Sequence, residues 1–178
     1  MRDLPEEVAD RARRLRLMVF DVDGVLTDGT LWYGPGGEEL KGFHAFDGHG
    51  LKLLAASGVA CALLSGRSSA AVSARAAELQ IEDVLQGVED KLAACKALLG
   101  KKGLNLEQIG FMGDELVDLP VLTRCGLACA PREAPEAVRS RVHYVAAAPA
   151  GRGAAREVCE LVMRAQGSFE RALQAYLR

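Results

Sequence analysis

Short apolar runs alternate with segments of helical period along most of the chain. Leu17-Met18-Val19-Phe20 reads as a buried strand, as do residues 59–64, 109–112 and 127–130. Residues 84–85 and 142–145 are weaker strand candidates. Between these runs, helical spacing covers 50–57, 69–79, 90–100, 116–124 and 154–165, with a short helix or tail over 168–178. Gly58 and Gly103 stand where helix C-caps belong. This alternation predicts a three-layer α/β fold, a parallel sheet with helices on both faces. Right-handed crossovers then bring every strand C-terminus to one edge, where ligands usually bind.

One stretch departs from the alternation. Thr30-Leu31-Trp32-Tyr33 and residues 40–46 flank Gly34-Pro35-Gly36-Gly37, so a β-hairpin is expected over 30–46. It would project from the rim of the ligand edge, just after the first strand.

Composition narrows the picture. The 178 residues suit one domain spanning 1–178. The 22 basic and 24 acidic residues nearly cancel, which disfavours a generally basic nucleic-acid surface. No apolar run approaches the ~20 residues of a membrane span. Residues 1–16 have no apolar core of a secretory signal. Cys61, Cys95, Cys125, Cys129 and Cys159 form no CxxC pair, so free, mostly buried thiols in a reducing cytoplasm are expected.

Four polar clusters fall at the ends of predicted strands or on the helix starts that follow. The first is Asp21-Val22-Asp23-Gly24-Val25-Leu26-Thr27-Asp28-Gly29. Carboxylates at i and i+2 of an extended chain point to one side, where a cation or a shared proton must offset their repulsion. An EF-hand is excluded, because position 25 is Val and position 32 is Trp where acids are required. The second is Ser65-Gly66-Arg67, which can offer a hydroxyl and backbone N–H groups to a phosphate or simply cap a helix. Lys91, one of only six lysines, opens a helix, where a cation benefits from an anionic partner. In Gly113-Asp114-Glu115-Leu116-Val117-Asp118, the second aspartate lies four residues after the first. Each cluster alone also reads as a turn or a cap. Their common edge argues for a shared site of carboxylates, a hydroxyl and a lysine.

In this order and context, the four clusters resemble the motifs of the haloacid dehalogenase superfamily of phosphatases. The resemblance implies a Rossmann-like fold and Mg²⁺-dependent phosphoryl transfer. The chain is more closely similar to the 3-deoxy-D-manno-octulosonate 8-phosphate (KDO 8-phosphate) phosphatase family. Phe43-His44-Ala45-Phe46-Asp47-Gly48-His49-Gly50, Ser65-Gly66-Arg67 followed by Arg75, and Ala150-Gly151-Arg152-Gly153-Ala154-Ala155-Arg156-Glu157 carry that likeness. It extends over about 17–167 and implies no large cap domain. It also implies a homotetramer in which each hairpin 30–46 covers a neighbour's site.

The resemblance implies these roles. Asp21 is the nucleophile and Asp23 the acid/base. Asp21, Asp114 and Asp23, the last through its backbone carbonyl, hold Mg²⁺. Ser65, Gly66 and Lys91 bind the phosphoryl group, Arg67 the sugar-acid carboxylate, and Asp118 orients Lys91 or a metal-bound water. His44, Arg75 and Arg152 are candidates for substrate or interface contacts. Glu115 replaces the family's second aspartate. Phe46 stands where a polar or basic residue is expected and keeps a KDN 9-phosphate or related nonulosonate phosphatase open. An idle oligomerisation module is disfavoured by retention of Asp21, Asp23, Lys91 and Asp114. A receiver-type signalling domain is disfavoured by the Asp-x-Asp pair and the hairpin.

Overall fold

The computed structural model describes residues 4–177. In chain order its elements are α1 (Glu6–Arg13), β1 (Leu17–Phe20), β2 (Trp32–Tyr33), β3 (Glu39–Leu40), α2 (Ala45–Ala56), β4 (Ala60–Leu64), α3 (Ala70–Leu79), β5 (Asp83–Leu85), α4 (Lys91–Lys102), β6 (Ile109–Met112), α5 (Leu119–Leu122), β7 (Leu127–Ala130), α6 (Glu136–Arg139), β8 (Tyr144–Val145), α7 (Ala154–Ala165) and α8 (Phe169–Gln174). Six strands form one all-parallel sheet in the order β5-β4-β1-β6-β7-β8, and β2 pairs with β3 as a separate antiparallel hairpin.

The central strands are apolar throughout because both their faces are covered. In β1, Met18 and Phe20 join one core with α1, α2, α3 and α7, while Leu17 and Val19 join the other with α4, α5 and α6. Successive side chains of a strand point to opposite faces, so one four-residue run supplies both cores. The three-layer arrangement expected from the sequence is present. Among the described residues no helix is long and apolar enough to cross a membrane.

Three local expectations need correction. The second helix begins at Ala45 rather than residue 50, because the His44 Nδ1 accepts a hydrogen bond from the Phe46 amide (3.2 Å) and caps it. The hairpin is correspondingly shorter than 30–46: its strands are Trp32–Tyr33 and Glu39–Leu40, and residues 45–46 belong to α2. Residues 116–124 form a 3₁₀ turn, Leu116–Asp118, followed by α5, with Pro120 in the first turn, where its missing N–H costs nothing. Helices α1 and α6 were not expected. The last expected segment, 168–178, contains α8; its final residue lies outside the described residues.

α2 and α7 pack closely. A Cβ on Gly50 would lie 3.0 Å from the Arg156 Cα. The buried Asp47 of α2 accepts the Gly153 amide (3.0 Å) and the Arg156 amide (2.9 Å), capping α7 from a neighbouring element. A carboxylate at that end also suits the helix dipole. All five cysteines are free and buried. Burial pushes the thiol pKa of Cys61 and Cys125 up to about 12 and that of Cys95 up to about 11. Cys129 and Cys159 are raised well above the usual thiol range by the same cause.

Candidate active site

The C-terminal ends of β1, β4 and β6 and the start of α4 converge on a cleft of about 320 Å³. Asp21, Asp23, Ser65, Gly66, Arg67, Lys91, Asp114 and Glu115 all line it. The parallel register explains the convergence: Phe20 is level with Leu63 on one side and Met112 on the other. Asp21 follows β1 directly, Ser65 follows β4, and Asp114 comes two residues after β6.

Lys91 organises the centre. Its ammonium donates to Asp21 Oδ2 (2.7 Å) and Asp118 Oδ1 (2.6 Å), and all three side chains are buried. Burial works against the ammonium, but the Asp21 and Asp118 carboxylates outweigh it and hold the lysine above its ordinary pKa. Asp118 is fully engaged: its second oxygen accepts the amides of Asp114 (3.0 Å) and Glu115 (3.1 Å). It therefore fixes both the lysine and the turn that carries Asp114. Glu115 caps the 3₁₀ turn through the Leu116 amide (2.6 Å).

The carboxylates exceed the charge that Lys91 can offset. Oxygens of Asp21, Asp114 and Asp118 lie within 4.8 Å of one another. Burial, then the neighbouring Asp118, raises the Asp21 pKa to about 6, with Lys91 opposing. Burial, then Asp21 and Asp118, raises Asp114 to about 7. Asp114 Oδ1 is buried with no hydrogen-bond partner. Gly24, at φ +81°, gives Asp114 its space, since a Cβ there would sit 2.1 Å from Oδ2. A hard divalent cation takes oxygen ligands of this kind. The donor set therefore fits Mg²⁺. Asp118 already accepts three hydrogen bonds, Asp21 accepts one on each oxygen and Asp114 Oδ1 accepts none, so Asp21 and Asp114 keep the greater capacity to bind it.

Ser65 is buried, and its Oγ accepts the Arg67 amide (3.2 Å). The helix that follows has Ser69 at its N-cap position, with no side-chain capping bond. Arg67 donates to the Tyr33 hydroxyl of β2 (2.9 Å) and lies 3.6 Å from Glu39 and 3.9 Å from Asp23. The Asp23 side chain turns towards the hairpin and pairs with Lys41.

The remaining candidates lie elsewhere. Arg75 donates to Glu78 (2.8 Å) and to the His44 carbonyl (3.2 Å), tying α3 to the start of α2. Arg152 lines an adjoining cavity of about 450 Å³ with Asp28, Asp114 and Glu133. Phe46 is exposed and packs edge-on against His44. It does not line the cleft of its own chain. The sequence reading missed Tyr33, Glu39 and Lys41 as neighbours of the site. Glu39 and Lys41 sit at i and i+2 of an extended segment, a spacing that puts both on one face.

Comparison with known proteins agrees with this geometry. A family of haloacid dehalogenase-like hydrolases matches residues 81–158. The 3-deoxy-D-manno-octulosonate 8-phosphate phosphatase KdsC of Yersinia pestis is 40% identical over 167 residues, covering 94% of this chain and 89% of that one. This chain belongs to that phosphatase family. The KdsC of Escherichia coli K12 is 40% identical over 166 residues, covering 93% of this chain and 88% of its own. The crystal structure of the Moraxella catarrhalis phosphatase, in complex with magnesium ion, phosphate ion and KDO, superposes with a TM-score of 0.95. It is 38% identical, covering 97% of this chain and 99% of that one. The matched region 81–158 holds Lys91, Asp114 and Asp118, whereas Asp21 and Ser65 lie in the part covered by the full-length relatives.

Proposed function

We propose that this chain hydrolyses KDO 8-phosphate to KDO and phosphate, a step that supplies a lipopolysaccharide precursor, through an aspartyl-phosphate on Asp21. The observation that carries the reading is the buried Asp21–Lys91–Asp118 array beside an unpartnered Asp114 oxygen. The 40% identity to a KDO 8-phosphate phosphatase over 94% of the chain supports that substrate.

In the first step an Asp21 oxygen attacks phosphorus and the bond from phosphorus to the sugar oxygen breaks. Asp23 gives its proton to that departing oxygen. In the second step water attacks the phosphorus of the aspartyl-phosphate. Asp23 takes the water proton, the bond to Asp21 breaks, and phosphate leaves. Lys91 stabilises charge on the phosphoryl oxygens, with Ser65 Oγ and the Gly66 amide as further donors. Mg²⁺ would be held by the Asp21 and Asp114 carboxylates and the Asp23 backbone carbonyl. When bound, it offsets the repulsion between an anionic nucleophile and an anionic substrate. Arg67, exposed at the mouth of the cleft, suits the sugar-acid carboxylate.

We also propose that residues 1–178 act as one domain within a homotetramer. Trp32 and Leu40 face each other across the hairpin and are 60% and 59% exposed, an apolar face suited to a neighbouring subunit. A cytoplasmic location is part of this reading, supported by the five unpaired thiols.

A screen of sugar-acid and hexose phosphates, with and without Mg²⁺, tests the function. KDO 8-phosphate should exceed hexose phosphates in kcat/KM by at least about tenfold. Chelation should stop turnover, and Mg²⁺ should restore it. Equal hydrolysis of hexose phosphates, or full activity after rigorous chelation, would overturn the substrate or the metal assignment. Native mass measurement reads the assembly, and a monomer would remove the tetramer.

A further inference from the structure

Lys41, the residue after β3, has no part in the chemistry derived above, yet its side chain is almost fully buried, with 1% exposed. It does not line the cleft. Its ammonium lies behind Asp23, donating to Asp23 Oδ1 and paired with Glu39 at 2.6 Å. The other Asp23 oxygen, Oδ2, is buried without a hydrogen-bond partner; the Arg67 Nε stands 3.9 Å away. An unsatisfied buried oxygen is costly and calls for an explanation.

We propose that Lys41 is a positioning residue that holds Asp23 Oδ1 and so fixes the side chain that exchanges a proton with the sugar oxygen and then with water. An ammonium is a donor only, so the oxygen it holds must accept. The same contact restrains the side-chain rotamer of Asp23, which lines the cleft. Lys41 acts from the hairpin, through Asp23, without lining the cleft. The inference rests on the phosphatase reading, in which Asp23 is the acid and base.

The test compares leaving groups. A sugar alkoxide needs a proton as it departs, whereas p-nitrophenolate does not. In rapid-quench measurements on the full chain with Mg²⁺, Lys41→Met should slow phosphoenzyme formation from KDO 8-phosphate by about tenfold or more. Formation from p-nitrophenyl phosphate should change by less than about threefold, and KM for KDO 8-phosphate should stay within about threefold. In an Asp23→Asn background the same substitution should add less than about twofold. Equal slowing for both leaving groups, or a full multiplicative loss in the Asp23→Asn background, would overturn the role. Lys41→Arg keeps the donor and the charge. It should retain more KDO 8-phosphate turnover than Lys41→Met, and it reads the same leaving-group ratio should Lys41→Met fold poorly. The phosphatase reading fails separately: Asp21→Asn with normal turnover would remove it, whereas an even loss in Lys41→Met with Asp21→Asn inactive removes only the Lys41 role.

Discussion

Asp21→Asn should lower kcat by about four orders of magnitude or more while the chain stays folded. The amide cannot serve as the nucleophile, so no covalent intermediate forms. It nevertheless retains a carbonyl oxygen that can accept from Lys91, which now donates to Asp21 Oδ2 at 2.7 Å, or from the Val22 amide at 2.7 Å. One buried carboxylate is also removed from an overcrowded acidic cluster, so stability without metal should hold or rise. Quenched-flow detection of an acid-stable phosphoenzyme, with circular dichroism as the fold control, separates these effects. Turnover within about tenfold of the parent would end the assignment of Asp21.

Lys91→Met should destabilise the metal-free protein by about 3–5 kcal/mol, because it leaves buried charge without its partner. Two buried carboxylates, Asp21 and Asp118, would lose the ammonium that now bridges them. Adding Asp118→Asn should return part of that loss. The amide oxygen can still accept from the amides of Asp114 and Glu115, and the stranded charge is gone. Mg²⁺ should also recover stability in Lys91→Met, since it restores a cation beside Asp21 and Asp114. Urea unfolding in EDTA and in Mg²⁺ measures the parent and both variants. A loss below about 1 kcal/mol in EDTA would show that Lys91 does not compensate the cluster.

The sheet was legible because its strands are short, apolar and separated by helical periods. The runs at 17–20, 109–112 and 127–130 became strands with the same limits. The starts of α1 and α2 were not legible, for different reasons. α1 lies in a charged segment whose buried positions, Val8, Ala9 and Ala12, are small and few. α2 begins at a histidine cap, a residue that the usual N-cap signals do not include. At the site, Asp21, Ser65, Lys91 and Asp114 could be grouped before any coordinates, because each closes a strand or opens the next helix. Lys41 could not. It reaches Asp23 across a hairpin whose packing depends on tertiary contacts, and a lone lysine beside a turn carries no signal of its own. Arg75 and His44 came up through motif likeness and lie together, but their contact fastens α3 to α2 rather than lining the cleft.

The five cysteines have a practical consequence. Each thiol is shielded and held far from its reactive thiolate form. A small alkylating reagent can therefore modify them only as quickly as the packed layers separate. The cysteines are spread over β4, α4, β7, α7 and the turn after α5. Their labelling times, read one by one with mass spectrometry, would map which layer parts first and how tightly metal or substrate holds it closed.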